Sequence, residues 1–247
     1  MPTLPDAEFL GGRLQRGWRQ PTRELVTKYR LHLREGLAPP SAQHLYRGAS
    51  ILTPADLRRS EISGGIAKLE AFTRPGSGSP IDAMGMAYPQ LARAARRNVR
   101  ALAAQAGAVD AKVENRVESI VTLHNPRYEP IESAGQVLQM EACFSAPGIG
   151  VRIMRWREIM LFLPGQKPQR VMGTDAWVLQ HEIDHLDGVL CTTVAHRQGV
   201  SMYYVPPEWA TPFFRGGFTD DWPIFAPAQY AAMRRGSFDL ASYVRFL

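Results

Sequence analysis

The segment HEIDH at residues 181–185 constrains this 247-residue chain more than any other. We predict a helix over 175–186 that is closed by Gly188, a typical residue after a helix end. Residues four apart on a helix lie about 40° apart around the axis and about 6 Å along it, so His181 and His185 can bind one metal ion. Glu182, on the edge of the same face, can reach water at that ion and move its proton to a leaving amine. The spacing therefore predicts a metallohydrolase rather than a polar helix face.

A catalytic site of this type needs a third protein ligand, and the chain offers two cysteines for it. Cys191 extends the pattern to the spacing of metzincin proteases, with Cys in the place of the third His and with Met202 as a possible Met-turn residue. Cys143, in the segment EACFS at 141–145, comes from another part of the chain. Spacing alone leaves both cysteines open.

Composition indicates a globular protein. Hydrophobic residues make up 45% of the chain and charged residues 21%, which is enough apolar surface for a core and too little charge for a disordered chain. The apolar runs are shorter than the ~20 residues that span a bilayer, and 1–20 does not have the pattern of a signal peptide. We therefore expect a cytoplasmic protein, with neither DNA nor a membrane as a partner.

The net charge of +6 would attract polyanions such as RNA. The densest basic run has helical spacing and consists of Arg93, Arg96, Arg97 and Arg100. A solvated helix face is the favoured interpretation of this run, and a contact with the ribosome is the alternative.

The predicted elements are short, and strands precede the helix that carries HEIDH. This order predicts an α+β fold, in which short antiparallel or mixed strands pack around that central helix. We expect a helical N-terminal extension at 1–46, a catalytic domain at 47–197 and a C-terminal extension at 198–247 that wraps the domain as an irregular tail. The other predictions are helices at 21–34, at 54 onward with Thr53 as N-cap and at 66–72 after a break at Gly64-Gly65, and strands at 117–124, 151–153 and 159–162.

Three segments together resemble the signature of peptide deformylases, which remove the N-formyl group from nascent polypeptides. The segment QHEIDHLDG at 180–188 agrees with that family's motif QHExDHLxG at every specified position. The segment EACFS is similar to EGCLS, and AMGMAYPQ at 83–90 is similar to GxGxAAxQ. The departures are Ala83 and Ala142 in place of glycines, and Tyr88 in place of an alanine.

The resemblance implies that Cys143, His181 and His185 are the metal ligands and that a fourth position is left for water. It implies Fe²⁺ as the working ion, with Zn²⁺, Ni²⁺ or Co²⁺ as possible substitutes. Glu182 would be the general base and then the general acid. The Gln90 carboxamide and the backbone N–H of Phe144 would donate to the formyl oxygen as it becomes an oxyanion.

The substrate would lie beside these groups. The resemblance implies that Met84 and Gly85 contact it, and that Gly85 lets the chain come close to the site. Trp177 and Val178 lie four and three residues before His181, so they could wall a hydrophobic slot for the residue after the formyl group. Packing in the core beneath the helix is the alternative for both side chains. Arg155 resembles the arginine of the family's V-x-R stretch, for which we expect a structural role.

The expected function is metal-dependent removal of the formyl group from N-formylmethionyl peptides in protein biosynthesis, with release of formate and with possible transient ribosome contact. Tyr88 and the extensions motivate one alternative, a related amidase that acts on another formylated or acylated small molecule. A metzincin-like endoprotease would need Cys191 as a ligand. A metal-binding docking module without turnover is the alternative from another class.

Overall fold

The computed structural model describes residues 23–79, 83–105, 120–205, 224–225 and 235. The described residues form two compact units: those of unit 1 lie within 1–43, 138–154 and 190–247, and those of unit 2 lie within 44–137 and 155–189. Within the described ranges, no helix has the length and apolar character that a bilayer span requires.

The described elements of unit 2 are α2 (Pro54–Leu57), α3 (Ser60–Thr73), β1 (Gly85–Ala87), β2 (Ala101–Gln105), β3 (Ile120–His124), β4 (Arg127–Pro130), β7 (Glu158–Phe162), β8 (Gln169–Met172) and α4 (Gly173–Leu186). The strands form two antiparallel sheets. One sheet has the strand order β1-β2-β3, with Gly85 opposite Ala104, and the other has the order β4-β7-β8. The predicted class of short antiparallel strands with helices is confirmed for the described residues.

The core of unit 2 forms around one face of α4, because four apolar side chains of this helix are buried together with strand residues from both sheets. The apolar side chains of the strands and of α4 exclude water from this space, which is the main favourable contribution to folding. The buried residues on α4 are Ala176, Leu179, Ile183 and Leu186, and those on the strands include Leu102, Leu123, Ile159 and Leu161.

Thr53 caps α2 as predicted. Its hydroxyl accepts a hydrogen bond from the Asp56 N–H at 3.2 Å, and the Asp56 carboxylate accepts one in return from the Thr53 N–H at 3.0 Å. This reciprocal arrangement satisfies two backbone donors that the first turn of a helix leaves unpaired.

The break expected at Gly64-Gly65 is wrong, because α3 runs without interruption from Ser60 to Thr73. Gly65 has a packing role instead: a Cβ added there would lie 2.6 Å from Cε2 of Tyr88. A glycine inside a helix weakens it by up to ~1 kcal/mol relative to alanine, and here the close approach of an aromatic ring explains its presence.

The basic run is not a continuous helix. Only Ala92–Ala95 forms a short 3-10 turn, and two of the arginines beyond it bind acidic or carbonyl oxygens. Arg97 donates to both carboxylate oxygens of Asp56, at 3.2 and 3.1 Å, and lowers the pKa of that carboxyl to about 2. Arg100 donates to the carbonyl of Leu186. Helical spacing was misleading here, because it does not show the acceptors of these arginines, which lie in distant segments.

The described elements of unit 1 are α1 (Arg23–Arg34), β5 (Gln136–Cys143), β6 (Ala146–Trp156), α5 (Cys191–Gln198), β9 (Met202–Tyr204) and β10 (Ile224–Phe225), with the last two residues of β6 and the first two of β5 counted in unit 2. Four of these strands form one sheet with the order β10-β9-β6-β5. The core of unit 1 joins both cysteines with apolar residues of β6 and α5. Part of the predicted irregular tail is therefore strand, while 206–223, 226–234 and 236–247 lie outside the described residues.

Candidate functional site

The two histidines of HEIDH lie side by side on α4. The centroids of the His181 and His185 rings are 5.0 Å apart, and the ring planes meet at 73°. His185 is completely buried, and His181 is half-buried. Two imidazoles at this separation on one helix offer nitrogen donors of the kind that divalent transition metals prefer.

Glu182 lies next to this pair and is buried. Strand β1 passes so close to it that a Cβ added at Gly85 would lie 2.8 Å from Cγ of Glu182 and 3.0 Å from Cγ1 of Val178. Any larger residue at position 85 would displace the carboxylate of Glu182 or the backbone of β1. Glycine is therefore required at this position by the approach of β1 to α4, not by a positive φ.

Gln90 ends the 3-10 turn that follows β1, and its side chain is buried. Its carboxamide oxygen accepts a hydrogen bond from the backbone N–H of Ala87 at 2.7 Å. This bond orients the amide, because it fixes which end of the side chain faces the backbone and turns the NH₂ group away from Ala87. The turn contacts both α3 and α4.

Tyr88, the departure from the family motif, is buried in unit 2 with 1% of its surface exposed. Its ring lies against Gly65 of α3. Burial raises the pKa of its phenol. The ring is therefore part of the packing between α3 and the turn that carries Gln90.

Gln180, the first residue of the QHExDHLxG match, holds α4 to a strand residue. Its oxygen accepts the Trp156 N–H at 3.0 Å, and its NH₂ group donates to the Trp156 carbonyl at 2.9 Å and to the Ala176 carbonyl at 3.0 Å. The Gln180 carboxamide is completely buried, and both its oxygen and its NH₂ group are hydrogen-bonded. These bonds fix the position of α4 at the residue directly before His181. Sequence reasoning assigned no role to Gln180, although its place in the motif was a signal.

Asp184, between the two histidines, accepts two hydrogen bonds from unit 2. Arg155 donates from Nη1 at 2.6 Å, and the Tyr128 hydroxyl donates at 3.1 Å. Arg155 is buried, and burial together with the Asp184 charge raises the pKa of Tyr128. The structural role expected for Arg155 is consistent with this ion pair. No signal in the sequence pointed to Tyr128.

The end of α4 is closed by a glycine in the left-handed region, Gly188, with φ of 73°. A Cβ there would lie 2.6 Å from the backbone nitrogen of Arg47 and 2.7 Å from the carbonyl carbon of Tyr46. The Arg100 guanidinium donates to the Leu186 carbonyl at 3.2 Å and pairs with Asp187. A cation at a helix C-terminus interacts favourably with the helix dipole. Gly188 and Arg100 therefore both stabilise this end of α4.

In unit 1, the segment EACFS forms the end of β5 and the turn into β6. Cys143 is buried, and the backbone N–H of Ser145 donates to its sulfur at 3.4 Å. This contact ties the sulfur to the backbone of the turn between β5 and β6. Phe144 makes an edge contact with His32, with ring centroids 5.1 Å apart. Cys191 is the first residue of α5, and it is also buried.

The residues expected to contact substrate differ in exposure. Met84 is exposed over 53% of its surface. Trp177 and Val178 are half-buried and pack against the core around α4, so the interpretation as core packing accounts for part of both side chains. The Trp177 indole nitrogen is buried and has no hydrogen-bond partner within the described part of the chain.

The alanines that replace family glycines are not strained. Among the described residues, the non-glycine with positive φ is Asn125, at 53°, so neither Ala83 nor Ala142 needs the left-handed region. The backbone at these two positions therefore tolerates a side chain without the cost of ~1–2 kcal/mol that a positive φ would carry.

A family model described as polypeptide deformylase matches residues 60–200. "Peptide deformylase 1" of Bacillus subtilis is 31% identical over 134 residues, which cover 53% of this chain and 72% of that protein. "Peptide deformylase" of Dictyoglomus thermophilum is 43% identical over 74 residues, which cover 28% of this chain and 47% of the relative.

The chain spans about half the length of the first curated relatives that it matches, with 47% for Dictyoglomus thermophilum and 51% for Thermodesulfovibrio yellowstonii. Among solved structures, a class I type b peptide deformylase from Acinetobacter baumannii is 21% identical over 64% of this chain and 97% of that chain, with a TM-score of 0.48.

Proposed function

The chain belongs to the polypeptide deformylase family, and on this premise we propose that it is a metal-dependent amidase that removes the formyl group from N-formylmethionyl peptides and releases formate. This reaction hydrolyses a C–N bond of a linear amide that is not a peptide bond. The single observation that supports the proposal most is that His181, Glu182 and His185, all in the matched range, lie on one helix with buried Glu182 beside the glycine of β1. The catalytic domain would be 47–197, between terminal extensions at 1–46 and 198–247.

Cys143, His181 and His185 would hold the metal. Two neighbouring imidazoles and a cysteine whose sulfur accepts a backbone N–H fit a divalent transition ion, since such ions take nitrogen and thiolate ligands. The family resemblance favours Fe²⁺, with Zn²⁺, Ni²⁺ or Co²⁺ as substitutes. When bound, the ion supplies a Lewis acid that polarises the formyl carbonyl and lowers the pKa of water. Cys191 is left as a core residue of unit 1.

Glu182 would move the proton. As the general base it takes a proton from the attacking water, and as the general acid it gives that proton to the nitrogen that leaves as the amine of methionine. Its burial against β1 keeps the carboxylate in one position and limits its solvation. Fixed geometry at a proton-transfer group is what this step requires.

Gln90 would donate from its NH₂ group to the formyl oxygen as negative charge develops there. The hydrogen bond from Ala87 to its carbonyl oxygen supports this role, because an amide held at one end needs little reorganisation at the moment of reaction. The backbone N–H of Phe144 would be a second donor. One donor of this kind contributes about 3 kcal/mol to lowering the barrier.

The substrate's methionine side chain would lie along Trp177 and Val178, with Met84 and Gly85 along the peptide. These residues combine partly buried apolar surface with one exposed methionine, as expected where an apolar side chain binds. We place the reaction in the cytoplasm, where a transient ribosome contact would bring the enzyme to nascent chains.

Formate release tests this proposal. Anaerobically purified protein is assayed with formyl-Met-Ala-Ser and with formylated small molecules of similar size. A preference for the peptide in kcat/KM is expected. A preference for a small molecule would favour the alternative amidase, which Tyr88 and the terminal extensions motivate. Metal binding without turnover of any formylated compound would favour the docking module.

A further inference from the structure

Tyr88 and Gly65 form a close contact, called the socket here, in which the Tyr88 ring occupies the space that a side chain at position 65 of α3 would fill. The approach is close enough that a Cβ at Gly65 would lie 2.6 Å from Cε2, 3.1 Å from Cζ and 3.1 Å from the hydroxyl oxygen of Tyr88. The ring is almost fully buried. It fits because position 65 has no side chain, which makes the two residues a matched pair.

The socket lies at the start of the turn that carries Gln90. Tyr88, Pro89 and Gln90 form one 3-10 turn, closed by a hydrogen bond from the Leu91 N–H to the Tyr88 carbonyl at 3.0 Å. Proline at the second position limits the backbone freedom of the turn. A rotation of the turn about Tyr88 would therefore carry the Gln90 side chain with it.

Gln90 depends on that placement. Its oxygen accepts the Ala87 N–H, and the turn contacts α4, which carries Glu182, as well as α3. The ring of Tyr88 is a rigid group held on α3, whereas an alanine at position 88 would leave this side of the turn without that contact. Misplacement of a donor by a fraction of an ångström is enough to weaken its bond to a developing oxyanion.

We infer that Tyr88, seated on Gly65, is a positioning residue that holds the Gln90 carboxamide in its productive orientation, so that the bulky substitution in the family motif supports catalysis without narrowing the cleft. This inference rests on the proposed function, in which Gln90 donates to the formyl oxygen. It predicts a defect in kcat rather than in KM, because a donor to the oxyanion acts mainly in the transition state.

The test compares Tyr88→Ala, Tyr88→Leu and Tyr88→Phe on formyl-Met-Ala-Ser, with metal content and thermal midpoint measured for each. Tyr88→Ala and Tyr88→Leu should lower kcat by about fivefold with KM changed by less than about twofold, whereas Tyr88→Phe should retain the wild-type rate. If the alanine variant does not fold, the leucine variant decides. Phe72→Ala, which truncates another buried ring on α3, is the matched control, with a lower thermal midpoint and an unchanged kcat.

Two double variants separate positioning from general packing. In a protein that already carries Gln90→Ala, adding Tyr88→Ala should lower kcat by less than about twofold relative to Gln90→Ala alone. The reason is that the donor that Tyr88 positions has already been removed. Gly65→Ala should lower kcat by itself and should have little effect in the Tyr88→Ala background. A full additional loss in the Gln90→Ala background, or an unchanged kcat in both the Tyr88→Ala and Tyr88→Leu variants, would overturn the inference. A wild-type protein that releases no formate would instead refute the proposed function.

Discussion

Gly188→Ala should destabilise the protein through two separate effects, both at the end of α4. The residue has a φ of 73°, which costs a side-chain-bearing residue ~1–2 kcal/mol. The added Cβ would also lie 2.6 to 2.7 Å from backbone atoms of Tyr46 and Arg47, and overpacking against atoms that cannot rotate away costs ~1–3 kcal/mol. The sum is ~2–5 kcal/mol.

Gly165→Ala is the matched control, because Gly165 has a φ of 72° and a Cβ there would meet nothing within 4 Å. It should cost only the ~1–2 kcal/mol of the backbone conformation. With a urea dependence of roughly 2 kcal/mol per M, the unfolding midpoint should fall by about 1–2.5 M for Gly188→Ala and by about 0.5–1 M for Gly165→Ala. Metal content should fall in Gly188→Ala alone, since His185 lies one turn before position 188. Equal midpoints in the two variants would refute the steric part of the reasoning.

The remaining predictions concern the ligands, the ion and the half-buried His124. Cys143→Ala should lose bound metal and formate release whereas Cys191→Ala should keep both, and the reverse pattern, read by metal analysis, would favour a protease-like site. Iron-loaded protein should lose activity in air while protein loaded with nickel or cobalt decays more slowly, because iron and the thiolate are both open to oxidation; equal stability with iron and zinc in air would contradict the iron assignment. Burial lowers the pKa of His124 from its usual ~6.5, so its contribution to stability is present above that pH and is lost as pH falls toward the folded value. The urea midpoint should therefore drop between pH 7.5 and 5.5 by less in His124→Gln than in wild type, and an equal drop would show that other groups cause it.

The helix of HEIDH could be predicted because its signals are local. The spacing of the histidines and the glycine after the helix lie within one segment, and the observed α4 begins at Gly173, two residues before the predicted start, and ends at the predicted residue, Leu186. Capping by Thr53 was predictable for the same reason, since its partner Asp56 lies three residues away. Local chemistry of this kind does not depend on the rest of the fold.

Features that depend on distant partners were missed or misinterpreted. A Gly-Gly pair predicts a helix break unless the ring that fills the space is known, and Tyr88 lies 23 residues after Gly65 in the sequence. Arginines at helical spacing predict a helix face unless their acceptors are known, and those of Arg97 and Arg100 lie in other segments. Nothing local to Tyr128 showed that its hydroxyl donates to Asp184 on α4.

The choice between Cys143 and Cys191 could not be made from spacing, and family resemblance alone favoured Cys143. Both side chains are buried in unit 1, so burial does not separate them either. In the structure, the backbone N–H of Ser145 donates to the Cys143 sulfur. This contact depends on how the turn after β5 folds, so the spacing of residues in the sequence could not reveal it.

The central claim is tested most directly by the rate of formate release from formyl-Met-Ala-Ser by wild type and by Glu182→Gln, both loaded anaerobically with the same metal to the same content. If Glu182 moves the proton, the variant should retain its metal and release formate ~10²–10⁴ times more slowly than wild type. Equal rates at equal metal content, or no formate from the wild-type protein, would contradict the account.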